Sequence, residues 1–232
     1  MSLAGLVERV RKLSRPAPMH NFDDYDAYWT RRGDIGVVLE RWRLATKIIP
    51  DGARVLDVGC GSGEFLAYLH DAKPNIEATG CDGSAAAVEM TRRRGFESFV
   101  LDIGTTDIEG TFDYVTCFEV LEHIPEAELA MSRLKTAFTE QLLISIPNIG
   151  SIDSRLRLAL FGRFPVTNCI FHIKEHVRHW TERDFREWVE HFDMRVVSVT
   201  AQYPGGRFLP VERYPGLLSP GLAYVVEHAD RR

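Results

Sequence analysis

The stretch "ARVLDVGCGSGEF", residues 53–65, decides how this chain is to be read. A short apolar, β-branched run ends in three alternating glycines, Gly59, Gly61 and Gly63, and an amphipathic run follows at once. A strand, a glycine turn and a helix in that order present backbone N–H groups to a ligand at the carboxyl end of the strand. The dinucleotide fingerprint requires G-x-G-x-x-G, and Glu64 stands where its third glycine would be. Asp57 puts a second carboxylate beside the loop. Two carboxylates repel a pyrophosphate and suit a ligand with a cationic end.

Outward from this stretch, strand-like and helix-like segments alternate. Residues 62–73 carry Phe65, Leu66 and Leu69 at helical spacing, and 76–81 reads as the next strand. Residues 84–94 form a helix capped by Ser84 and stopped by Gly95. Strands follow at 97–101 and 112–117, a helix at 126–138 and a fifth strand at 141–146. Thr181 and Asp184 have capping-box spacing at the start of another helix. Residues 195–201 and 222–228 read as two closing strands joined by a Pro- and Gly-rich segment. The expected fold is therefore α/β: a Rossmann-like, seven-stranded, mostly parallel sheet with helices on both faces. Residues 1–44 are expected as a helical extension or lid and 45–232 as the main domain. Within it, 45–148 form the ligand-binding core and 149–180 an insertion.

The ends of the later strands extend the pattern. Asp82 and Gly83 follow the second strand, placed for a carboxylate to accept both hydroxyls of a ribose. Asp102 and Ile103 follow the third, placed for an adenine amino group, and Phe118 and Glu119 end the fourth. Together with Asp57, Gly59, Cys60, Gly61 and Gly63 they outline a site for a nucleoside with a cationic, phosphate-free tail. S-adenosylmethionine (SAM), with its ammonium and sulfonium, has that chemistry. A nicotinamide dehydrogenase is excluded by Asp57 and Glu64.

Over about residues 45–148 the chain resembles the class I SAM-dependent methyltransferases. "FEVLEHI" (118–124) resembles the motif after the fourth strand of ubiquinone-type O-methyltransferases. Residues 145–167 are similar to the methionine-biosynthesis MetW family, through Pro147, Asn148, Gly150, Arg155, Leu156, Gly162, Arg163, Pro165, Val166 and Thr167. The Glu119, Glu122, His123 cluster and the aromatic N-terminal segment depart from MetW. The first resemblance implies SAM as cofactor, S-adenosylhomocysteine as product, and methyl transfer to an oxygen, less readily a nitrogen, of a small acceptor. The MetW likeness implies an alternative: a SAM-binding accessory protein that partners a metabolic enzyme.

Methyl transfer needs an aligned acceptor, a dry site and, for some acceptors, a proton acceptor. His123 and Glu119 are the candidate catalytic residues, and Glu122 is expected to face outward. Residues 150–180 carry Arg155, Arg157, Arg163, Lys174 and Arg178 against Asp153 and Glu175. This excess points to an anionic acceptor, a phosphate or carboxylate, bound by Asn148, Arg155, Arg163, His176 and Arg178; the resemblance of residues 118–124 to many sugar or antibiotic methyltransferases implies a sugar-type acceptor as the other expectation. His172 and His176 stand four apart, the spacing of two metal ligands on a helix. Glu175, the nearby carboxylate, is expected to point to another face, so no metal is assigned. Tyr25, Tyr28 and Trp29 are candidates to close over the cofactor.

The bulk numbers fit a soluble enzyme. Of 232 residues, 45% are hydrophobic and 26% charged, with a net charge of −5 that disfavours nucleic acid as a partner. No apolar run is long enough to span a membrane, and Glu8 and Arg9 interrupt the N-terminal apolar stretch, unlike a signal peptide. Cys60, Cys81, Cys117 and Cys169 are scattered and read as reduced thiols of a cytoplasmic protein. A homodimer is the candidate assembly.

Overall fold

The computed structural model describes residues 3–20, 23–32, 34–165, 169–203 and 211–230. Val166 and Thr167 of the MetW-like stretch lie outside the described residues. The strands are β1 (Arg54–Val58), β2 (Glu77–Asp82), β3 (Glu97–Val100), β4 (Phe112–Phe118), β5 (Phe138–Pro147), β6 (Met194–Ala201) and β7 (Gly221–His228). They form one sheet in the order β3-β2-β1-β4-β5-β7-β6. The pairs among β1 to β5 are parallel, and β7 runs antiparallel between β5 and β6. All seven expected strands are present.

The helices are α1 (Leu3–Ser14), α2 (Tyr25–Arg32), α3 (Glu40–Ile48), α4 (Glu64–Ala72), α5 (Ala85–Arg93), α6 (Ala127–Ala137), α7 (Ile152–Phe161), α8 (Glu182–Glu190) and α9 (Pro215–Leu218). Local chemistry sets several boundaries. The Ser84 hydroxyl accepts from Ala87 N at the start of α5, and Gly95 follows its end with φ +92°. Thr181 and Asp184 form the expected capping box at α8. Among the described residues, no helix is long and apolar enough to cross a membrane.

Alternation along β1 divides the core. Leu56 and Val58 join Ala130, Met131 and Leu134 of α6 and Phe185 and Val189 of α8. Val55 joins Trp42 and Ala45 of α3 and Phe65, Leu66 and Leu69 of α4. Helix α3 therefore spans the expected boundary at residues 44/45. Trp42 belongs to the core, so α3 packs as part of the main domain.

Asn148, expected to orient an acceptor, is a structural pin. It is 1% exposed. Its amide nitrogen donates to the carbonyls of Gly216 (2.7 Å) and Ser219 (2.8 Å), and its carbonyl accepts from Gly150 N (2.8 Å). With these bonds made, it fastens the end of β5 to the α9 turn. Asn148→Ala leaves those buried partners unpaired and should destabilise the fold by about 2–3 kcal/mol. A urea midpoint equal to wild type would contradict the assignment.

Candidate active site

The strand order reverses between β1 and β4, and ligands of open α/β sheets bind at the carboxyl ends of strands beside such a reversal. Gly59, Gly61 and Gly63 follow β1 with φ of +76°, +56° and +78°, a conformation that a side chain disfavours. The Asp82 carboxylate at the end of β2 accepts from Gly61 N (3.0 Å) on one oxygen and Ser84 N (2.8 Å) on the other. It is 8% exposed, and burial raises its pKa. Each oxygen keeps acceptor capacity, because a carboxylate offers about four lone-pair sites. Asp57 faces Thr116 across the β1–β4 register, and the Thr116 hydroxyl donates to it at 2.6 Å. Burial pushes the Asp57 carboxyl up to about 7. The Asp82 charge adds to the rise, and the Thr116 bond and Arg41 oppose it.

The N-terminal segment covers this loop. The Asp26 carboxylate of α2 accepts from the Ser84 hydroxyl (2.5 Å) and Ala86 N (3.1 Å), at the N-terminal end of α5 where an anion is favoured. A Cβ on Gly61 would run into the Trp29 ring, so Gly61 is closed over by protein. A Cβ on Gly63 would meet Thr91. These two glycines shape the loop, whereas Gly59 and Cys60 reach the cavity wall. Glu64 also has a role that the sequence does not reveal. Its oxygens accept from Ile35 N (2.7 Å) and Gly36 N (3.1 Å), clamping the chain between α2 and α3.

A cavity of about 910 Å³ lies beneath α2 and joins these groups. It is at the upper end of the usual range for small-molecule sites and has room for two reactants. Asp57, Gly59, Cys60, Asp82, Gly83, Asp102, Ile103 and Phe118 all line it. Among the described residues, nine carboxylate side chains line the cavity against two arginines, Arg32 and Arg41.

Beyond the end of β4, a 3-10 turn (Leu121–His123) carries the remaining candidates. Glu119 has φ +56°, and its Oε1 accepts from Ser145 Oγ (2.9 Å) and Gln202 Nε2 (2.7 Å). His123 Nδ1 lies 2.6 Å from the Glu175 carbonyl oxygen. Burial lowers the pKa of His123 and takes that of His176 down to about 3, with the His123 charge adding to the second shift. Both rings are neutral at pH 7 and pack edge to face with centroids 4.9 Å apart. Glu122 does not face outward. It is 1% exposed, lines the cavity, and neither carboxylate oxygen has a hydrogen-bond partner.

Of the expected acceptor-side residues, the structure brings only His176 to this cavity. Asn148, Arg155, Arg163 and Arg178 are not on its wall. Arg155 Nε donates to the Gly150 carbonyl, and Arg163 is exposed past the end of α7. Arg178 donates to the Pro125 carbonyl and to Glu128. His172 accepts from Lys174 N and caps a 3-10 turn (Ile173–Glu175), so it is not paired with His176 on a helix. Glu175, whose structural role the sequence does not show directly, fixes that turn by accepting from the N–H groups of Ile170, Phe171 and His172. Its capping-box spacing after His172 was the available signal.

Residues 31–199 match the family model described as a methyltransferase domain. The ubiquinone biosynthesis O-methyltransferase of Xanthomonas oryzae pv. oryzae is 40% identical over 83 residues, 32% of this chain and 34% of that protein. The (S)-tetrahydroprotoberberine N-methyltransferase of Eschscholzia californica is 29% identical over 108 residues, 44% of this chain and 31% of that protein. The match thus spans about a third of the length of these curated relatives. Two solved structures share the fold. Magnesium protoporphyrin IX methyltransferase of Synechocystis, with bound SAH, has a TM-score of 0.56 at 18% identity, covering 97% of this chain and 95% of that one. A TehB-like SAM-dependent methyltransferase of Corynebacterium glutamicum has a TM-score of 0.56 at 17% identity, covering 97% of each chain.

Two outcomes test the wall that these groups form. Asp82→Ala should weaken SAM binding by about 1–3 kcal/mol in calorimetry, since it removes the carboxylate expected to accept from a ribose and releases Gly61 and Ser84. Unchanged affinity would remove Asp82 from the site. Asp57 ionises near 3.8 in the unfolded chain and near 7 in the fold, so the native state holds more protons between those values. Stability therefore falls as pH rises from about 4 to about 7, then levels. Asp57→Asn abolishes this penalty, so its urea midpoint relative to wild type should climb across that window. A pH-independent difference would refute the buried-acid assignment.

Proposed function

This chain belongs to the methyltransferase-domain family, and from that premise we propose that it is a SAM-dependent enzyme that methylates an oxygen of a small, uncharged, hydroxyl-bearing acceptor. The residues present fit the cofactor. Asp82 retains acceptor capacity toward a ribose, Asp102 stands at the rim for an adenine amino group, and Asp57 and Gly59 flank the tail of the ligand. Phe118, packed on Phe65, supplies an apolar wall. When bound, SAM supplies an already activated methyl group.

The observation that carries the acceptor class is the acidity of the cavity: of nine Asp and Glu residues on its wall, burial pushes Asp57, Asp82 and Glu122 toward their neutral forms, and the other six still outnumber the two arginines. An anionic acceptor would meet repulsion there, and the arginines of residues 150–180 are engaged elsewhere. An amine would be held as its ammonium by those carboxylates and would lose the lone pair that methylation needs. A hydroxyl is not trapped in this way. At the β4 end it meets groups that accept its proton, foremost neutral His123, and Glu119 holds the orientation of that end. His123 and Glu119 are the proposed acceptor-side catalytic residues. Trp29, Tyr25 and Tyr28 on the cavity wall serve to exclude water.

The accessory-protein reading rests on the MetW-like stretch. In the structure Asn148 and Gly150 build a turn, and Gly162 caps α7 in the left-handed conformation. No observation favours that reading over catalysis.

Labelled SAM offered with neutral polyols, sugars and phenols, with amines, and with phosphorylated or carboxylated metabolites tests the proposal. Transfer to a neutral hydroxyl is expected; transfer confined to amines or anions would overturn the acceptor class. With an acceptor in hand, His123→Ala should lower kcat by about 100-fold or more, with SAM affinity unchanged.

A further inference from the structure

We propose that Glu122, His123 and His176 bind a divalent first-row transition-metal ion at the acceptor end of the cavity. The inference rests on reading that end as the place where the acceptor docks. It adds that the acceptor oxygen is positioned by coordination to the ion; in that form His123 Nε2 is a ligand, and the hydroxyl proton, made more acidic by the ion, passes to water or to the Glu119 carboxylate on the same cavity wall rather than to His123.

The three side chains each offer a ligand atom, and these atoms all lie within 4.8 Å of one another. His123 Nε2 and Glu122 Oε1 are 3.8 Å apart, too far for a hydrogen bond. Two ligand atoms at about 2.0–2.2 Å from one ion, subtending a tetrahedral angle, stand about 3.4 Å apart. The His123–Glu122 pair therefore needs only a small closure around a cation, and His176, whose ligand atom is within 4.8 Å of both, needs at most about 1.4 Å.

Two further features point the same way. Glu122 is 1% exposed and both of its carboxylate oxygens lack a hydrogen-bond partner. A buried carboxylate without donors is strongly unfavourable, and a cation removes the deficit. The second feature is the tautomer of His123. A carbonyl oxygen only accepts, so the 2.6 Å contact with Glu175 O places the ring proton on Nδ1. Nε2 is left with its lone pair on the Glu122 side. An imidazole braced at one nitrogen by a carbonyl and free at the other is the usual arrangement of a metal-binding histidine.

The scaffold is rigid without the ion. Glu122 O accepts from Val177 N (2.8 Å) and Arg178 N (3.1 Å), which ties the His176 segment to the turn bearing Glu122 and His123. The Glu175 carboxylate, bonded to three backbone N–H groups, fixes the carbonyl that braces His123. Two imidazoles and one carboxylate suit zinc, manganese, iron or cobalt, whereas calcium and magnesium prefer all-oxygen sets. Three protein ligands leave open positions, as metal sites that take a substrate require. The nearby Glu119 carboxylate adds negative charge that favours the cation.

The test uses the full chain stripped with EDTA. Zn²⁺, Mn²⁺ and Co²⁺ are titrated separately by calorimetry, and SAM binding and thermal unfolding are measured on the same samples. One ion per chain should bind saturably at micromolar concentration or below, with a rise in Tm. Binding should weaken by at least about 100-fold in His176→Ala and in Glu122→Gln. The glutamine variant keeps the shape of the side chain and removes its buried charge. Its metal-free Tm should equal or exceed that of wild type and should not respond to the ions, whereas a purely structural Glu122 would leave every ion response as in wild type. No saturable binding of any of the three ions up to millimolar concentration, or equal binding in both variants, overturns the proposal. SAM binding separates the two levels. If SAM fails to bind, the methyltransferase reading falls; if SAM binds and no ion does, only the metal site falls.

Discussion

The site depends on one carboxylate. Asp82 accepts the N–H of Gly61 on one side and of Ser84 on the other, so it locks the loop after β1 to the start of α5. The two loops come from adjacent parallel strands, and their register places the end of β1 beside the end of β2. The Ser84 hydroxyl then caps α5 and also donates to Asp26. From there α2 is placed, with Trp29 over Gly61. A chain of hydrogen bonds that begins at Asp82 thus determines both floor and roof of the cavity.

The sheet was legible because its information is local. Each of the first five strands is an apolar run bounded by a turn or a helix signal, and strand–helix alternation admits few topologies. The loop chemistry was legible for the same reason, since Glu64 in place of a third glycine is a fact about one position. Its purpose was not legible. Its partners, Ile35 and Gly36, are 29 and 28 residues away in sequence.

The cations of residues 150–180 do not reach the cavity, because composition carries no direction. Arginine has five donors in a fixed fork, and in residues 150–180 the forks go largely to backbone carbonyls. Arg157 donates to the carbonyls of Phe164, Leu13 and Arg15, joining α7 to the end of α1. Arg155 and Arg178 do the same for Gly150 and Pro125. A local excess of cations here reflects irregular backbone that must be satisfied. Glu122 is the converse case. A charged residue in a short turn is usually solvated, but this turn is pinned under the 175–178 segment by backbone bonds from Val177 and Arg178. Only that long-range pairing, 55 and 56 residues on, turns the carboxylate inward.

The contrast between floor and roof has a dynamic consequence. The floor is built on strands whose side chains are almost wholly buried, with Val55, Leu56 and Val115 at 0% exposure. Besides the aromatic packing of Tyr25, Tyr28 and Trp29, the roof is held by polar contacts at or near the surface: Asp26 to Ser84 and Ala86, Glu64 to Ile35 and Gly36, and Arg94 to Asp34. Contacts of this kind open at much lower free energy than a core strand. Tyr28, the buried residue of α2, packs on Phe171 beside the turn that braces His123. Lifting α2 therefore exposes the cavity and loosens the acceptor end while the sheet and the glycine loop stay folded. A wall held by the core, where the cofactor is proposed to bind, and a wall shared with the roof, where the acceptor is proposed to dock, is the arrangement expected where one partner must stay aligned while the other is exchanged.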